Sequence, residues 1–76
     1  MQQVYVKFNS AEQVSQFVNQ IDRFDVNFDL GTGRRTVDAK SIMGILALDL
    51  SQPLQLRYDS EDSRIRDRIS PFLFEE

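Results

Sequence analysis

The chain has 76 residues, 41% hydrophobic and 28% charged, with a formal charge of -3 and neither cysteine nor histidine. That balance predicts one folded domain over residues 1–76, near the size at which a chain buries only about 60% of its unfolded surface. It excludes disulfides, thiolate or imidazole metal sites and histidine chemistry; the net charge disfavours a nucleic-acid partner. The absence of a long apolar run or a leader pattern predicts no membrane association and a cytoplasmic location.

Val4, Val6 and Phe8 alternate with Tyr5 and Lys7, a period of two that predicts a strand with one wet face, ended by Asn9 and Ser10. Ser10 followed by Gln13 is a capping-box pattern, and Val14, Phe17, Val18 and Ile21 then fall on one helical stripe. Val26, Phe28 and Leu30 alternate with Asn27 and Asp29 as a second strand, and Gly31-Thr32-Gly33 predicts a hairpin through residues that tolerate positive φ. Arg35 to Asp38 is a short third strand whose arginines suit an edge.

Ser41 has the chemistry of a helix N-cap, and a second helix is expected from about Ile42 to Leu48, closed off by Gln52-Pro53. Leu54, Leu56 and Tyr58 alternate with Gln55 and Arg57 as a fourth strand. Asp59-Ser60-Glu61-Asp62 reads as a helix start, with Ile65, Ile69, Phe72 and Leu73 at helical spacing and Pro71 set to bend or end the helix. The expected core is Val6, Phe8, Val14, Phe17, Ile21, Val26, Phe28, Ile45, Leu48, Leu54, Leu56, Ile65 and Ile69. Alternation in every strand predicts an α+β sandwich of two layers, with helices on one face of an antiparallel sheet.

The second helix is apolar nearly all round, and only one side of it can face a sheet. Ile45 and Leu48 are expected inward; Ile42, Met43, Leu46 and Ala47 are expected to form an exposed patch, which in a small protein marks a binding surface. The alternative is burial under a neighbouring loop. Elsewhere the bland readings hold. Arg64, Arg66 and Arg68 with Glu61, Asp62 and Asp67 make a solvated face in which Glu61 can meet Arg64. Asp59, Glu61 and Asp62 are capping residues, not a metal site. With no glycine-rich phosphate loop and no nucleophile-base pair, neither catalytic residues nor a cofactor are expected.

The element order and the run Lys40-Ser41-Ile42-Met43-Gly44-Ile45-Leu46-Ala47-Leu48 resemble the HPr family, the small phosphocarriers of the bacterial sugar phosphotransferase system. Arg23-Phe24-Asp25 and Thr36-Val37 also look like family positions. The resemblance implies an open-faced βαββαβα sandwich with sheet order 1-4-2-3 and three helices on one face. It implies that Ser41 is a target for a dedicated kinase/phosphorylase and that Lys40, Ile42, Met43, Leu46 and Ala47 contact partners. Those partners would be a phosphotransferase-system enzyme, an HPr kinase or a transcription regulator.

One departure stands out. The family's carrier histidine opens the first helix in a His-Ala-Arg-Pro motif, and the matching stretch here is Ser10-Ala11-Glu12-Gln13. Glu12 would repel a phosphate where the family's arginine attracts it, and no other histidine can take over. The sequence therefore predicts a non-catalytic HPr-like interaction module that docks through its second helix, not a phosphohistidine carrier. The alternative is a regulator phosphorylated on Ser41, like the catabolite-repression paralogue of HPr. Ser10 as a phosphate acceptor would need a base that is not visible nearby.

Overall fold

A computed structural model describes residues 1–74 of the chain. Its elements are β1 (Gln2–Val6), α1 (Ala11–Ile21), β2 (Phe28–Thr32), β3 (Arg35–Asp38), α2 (Ile42–Leu46), β4 (Leu54–Tyr58) and α3 (Ser63–Ile69), closed by a 3-10 turn at Ser70–Phe72. The four strands form one antiparallel sheet in the order β1-β4-β2-β3. Among the described residues, all the buried apolar side chains belong to one cluster between this sheet and the helices. The expected α+β architecture and strand order are both present. Among the described residues no helix is long and apolar enough to cross a membrane.

The caps form locally. The Gln13 amide donates to Ser10 Oγ at 3.2 Å, while Gln13 Oε1 accepts from the Asn9 amide at 2.7 Å, one residue earlier than in the usual box. α1 then buries Val14, Phe17, Val18 and Ile21. Phe17 meets Phe8 edge-on at 5.1 Å between centroids and Phe72 at 5.4 Å, so one aromatic cluster ties α1 to the segment after β1 and to the 3-10 turn.

Several boundaries differ from the sequence reading. β1 starts earlier and stops at Val6: Gln2 and Gln3 pair with Tyr58 and Arg57 through backbone alone, so their side chains carry no apolar signal. Phe8 is buried, but by ring packing and not by strand pairing. β2 begins at Phe28 and runs on through Gly31 and Thr32; Val26 is only half-buried, packed against the core from outside the sheet. The β2-β3 hairpin turns without positive φ, since no described residue has one. Gly31 is required for a different reason: a Cβ there would collide with the Arg35 carbonyl oxygen of the paired strand.

α2 ends at Leu46, well before Pro53, in a tight turn where the Leu48 amide donates to the Ile45 carbonyl. The N-cap of α3 is Asp62, not Asp59; its carboxylate accepts the Arg64 amide. Arg64 consequently pairs with Asp62 at 2.7 Å, and not with Glu61, because the capping carboxylate already faces that residue. Pro71 does end α3: the chain tightens into the 3-10 turn, and Leu73 leaves helical geometry to bridge Val6. The Lys7 amide donates to the Phe72 carbonyl and the Phe74 amide to the Tyr5 carbonyl, so the segment from Phe72 to Phe74 partly covers the free edge of β1.

Candidate functional site

α2 is a five-residue helix carried on β3. Ser41 precedes it in extended geometry, and its Oγ accepts the Gly44 amide at 3.1 Å. At the other end Arg35 of β3 donates to the Ala47 carbonyl at 3.3 Å, satisfying one of the acceptors that a helix terminus leaves open. Gly44 lets the helix lie close: a Cβ there would sit 3.3 Å from Val37 Cβ and 3.2 Å from Ser41 Oγ.

Held this way, α2 turns Ile45 and Leu48 into the core. Ile42, Met43 and Leu46 remain 37%, 78% and 41% exposed, and Ala47 is exposed beside them. Three apolar side chains and an alanine thus share one short surface.

Lys40 is part-buried and occupied. Its Nζ donates to the Phe24 carbonyl at 2.6 Å and lies 5.8 Å from the centre of the Phe28 ring. The ammonium therefore fastens the loop after α1 to the start of α2. Ser41 is half-buried, with its hydroxyl engaged by the cap.

Ser10 and Ala11, at the start of α1, face α2 across a shallow cleft of about 360 Å³ whose far wall includes Leu46 and Leu50. Ser10, Ala11 and Glu12 are exposed; Gln13 is half-buried and holds the cap. Lys7, also on the cleft, donates to Asn9 Oδ1 at 3.4 Å. The α1 start and the apolar patch therefore meet at Leu46, although Ser10 and Leu46 are far apart in sequence. The sequence gives no sign of the Arg35 and Lys40 bonds, since both join distant residues through a backbone carbonyl. It also missed Leu50 as a wall of the cleft.

The model of the family described as "PTS HPr component phosphorylation site" matches residues 10–64. Phosphocarrier protein HPr from Xylella fastidiosa strain Temecula1 is 36% identical over 67 residues, covering 86% of this chain and 75% of the relative. The protein of the same name from strain 9a5c matches to the same extent. Among solved structures, HPr-C-His from Thermoanaerobacter tengcongensis superposes with a TM-score of 0.76 at 24% identity, covering 93% of this chain and 89% of that one. A phosphocarrier protein HPr from Bacillus anthracis strain Ames gives 0.70 at 23% identity, covering 93% of each chain. At those identities the two structures speak for the fold, whereas the family match and the relatives speak for descent. The chain belongs to the HPr family of phosphocarrier proteins.

Proposed function

We propose that this protein is a non-catalytic, cytoplasmic HPr-like module that docks protein partners through α2 and carries no phosphate on histidine. The observation that carries the reading is the exposed apolar surface of Ile42, Met43, Leu46 and Ala47. Exposed apolar clusters of this kind favour a partner, and a methionine at the centre suits an adaptable contact. Its neighbour across the cleft is Ser10, where the family resemblance expects the carrier imidazole. With no histidine in its 76 residues the chain offers no imidazole nitrogen, and Glu12 puts a carboxylate where an incoming phosphate needs a cation. The partner class is a phosphotransferase-system enzyme, an HPr kinase or a transcription regulator.

The test is binding of the purified partners to the intact protein and to a Met43→Asp/Leu46→Asp double variant. Both positions are exposed, so the variant should keep its thermal midpoint. A loss of at least roughly tenfold in affinity is expected, the effect of desolvating charges against an apolar contact. Unchanged binding would refute α2 as the docking surface.

A second reading is favoured by the position of Ser41. Its Oγ already accepts an amide hydrogen at the start of α2. A phosphate there would keep the acceptor role and add a dianion beside the apolar patch. The fold would stay, while a partner presenting arginine would bind better and one docking on bare apolar groups would bind worse. Treatment with an HPr kinase, followed by mass spectrometry and partner binding, tests this. No phosphate on Ser41, or phosphate without effect on any partner, would leave Ser41 as a structural cap.

A further inference from the structure

The cations of this acidic chain are unevenly placed. Arg23, just beyond α1, and Arg64 and Arg68, one turn apart on α3, line a single cleft of about 510 Å³ together with Phe24 and Asp67. Arg64 is fixed in position. Asp62 takes its Nε at 3.0 Å and its Nη2 at 2.7 Å, and its guanidinium carbon lies 6.0 Å from the centre of the Phe24 ring. That leaves Nη1 without a partner among the described residues. Arg68 makes one long bond, from Nη1 to Gln20 Oε1 at 3.5 Å. Arg23 has no ion pair among the described residues.

Helix dipoles account for only part of this arrangement. Arg68 suits the last turn of α3, but Arg64 stands in the first turn, where a positive charge is disfavoured. Among the described residues Asp67 is the one carboxylate in the lining. Asp62 already neutralises one side of Arg64, so the attraction for a further anion comes from Arg23 and Arg68, which have no ion pair among the described residues, and from the open Nη1 of Arg64. Their planar forks match the oxygens of a tetrahedral oxyanion, and Phe24 supplies an apolar wall beside them.

We propose that the cleft between the end of α1 and α3 binds a phosphate dianion, either free or as the monoester of a small molecule. The site is separate from the α2 surface and does not depend on the docking reading.

The experiment is a titration of the isotope-labelled protein with sodium phosphate, and with sodium chloride at matched ionic strength, followed by amide NMR shifts. Phosphate should give saturable shifts at Arg23, Phe24, Arg64 and Arg68; chloride should not. Arg23→Gln and Arg68→Gln should each weaken binding roughly two- to fivefold, the range of an exposed charge pair, and Asp67→Asn should tighten it by a similar factor. All three residues are exposed, and matching thermal midpoints would show that the variants fold. Phenyl phosphate distinguishes the sources. Tighter binding than inorganic phosphate assigns the site to an ester lying on Phe24, whereas equal or weaker binding assigns it to free phosphate. Shifts that do not saturate, or that persist unchanged in the Arg23→Gln and Arg68→Gln variants, would overturn the proposal.

Discussion

Gly31 lies in the middle of the sheet, opposite Thr36 of β3 and Gln55 of β4. Its φ is not positive, so turn chemistry does not explain it; closeness does. A Cβ would collide with the Arg35 carbonyl and stand 3.0 Å from Thr36 Cα, and neither backbone atom can swing away. Gly31→Ala should therefore cost about 1–3 kcal/mol, the usual penalty for overpacking. Urea denaturation measures this, and an unchanged midpoint would show that β3 moves freely. Asp62 caps α3 with a carboxylate that also pairs with the Arg64 side chain. Side-chain bonds from Arg64 and then the Arg64 amide hold its carboxyl below the usual carboxylate range. A depressed folded-state value stabilises the protein above the unfolded value and loses that contribution as pH falls through the folded one. The window lies below about pH 4. Asp49 acts in the same sense through Ser51. Stability followed by urea from about pH 6 to about pH 3 should fall less steeply in Asp62→Asn than in the native chain. An identical slope would mean that the Arg64 pairing is lost in solution. Asp62 is half-buried but its partner Arg64 is exposed, so salt should reduce the difference. The caps at Ser10 and Ser41 were legible because a cap is a local code of a few residues. The start of α3 is legible only as the stretch Asp59 to Asp62, because several acids in a row satisfy that code, and only the bond to the Arg64 amide selects Asp62 as the cap.

α2 is too short to form alone, since helix nucleation is costly and only sustained propagation recovers it. Four features hold it: the Ser41 cap, the Arg35 bond to Ala47, the burial of Ile45 and Leu48, and the close seat of Gly44 on Val37. Ser41→Ala removes the first and should cost about 0.5–2 kcal/mol. Amide hydrogen exchange should show the loss concentrated at Gly44 and Ile45; an even loss across the sheet would mean that α2 opens only with the whole fold. At this scale β3, β4 and α1 were readable from alternation and helical spacing. The limits of β1 and β2 were not. Gln2 and Gln3 pair by backbone alone, and Gly31 has no side chain to continue a pattern, so the alternation stops at Leu30 although β2 runs on to Thr32. Leu73 keeps helical spacing with Ile65 and Ile69, yet Pro71 turns the chain and Val6 captures it as a bridge.

Across the whole molecule the sheet order β1-β4-β2-β3 places β1 and the segment from Phe72 to Phe74 on one edge and α2 at the other. Periodicity cannot give that order, because alternation says which side chains face inward and not which strand edges meet; family resemblance supplied it. The same limit applies to the functional surface. The exposed side of α2 was legible from its composition, but its meeting with the α1 start across one cleft depends on the folded arrangement. The central claim is that this surface docks a partner while the chain accepts no phosphate from it. It is tested most directly by adding the general phosphotransferase enzyme and phosphoenolpyruvate to the isotope-labelled protein and recording amide spectra. The expected result is broadening confined to Ile42, Met43, Leu46 and Ala47 with the facing Ser10 and Ala11, and no phosphorylated species. A stable phosphoprotein, or broadening centred on another surface, would contradict the account.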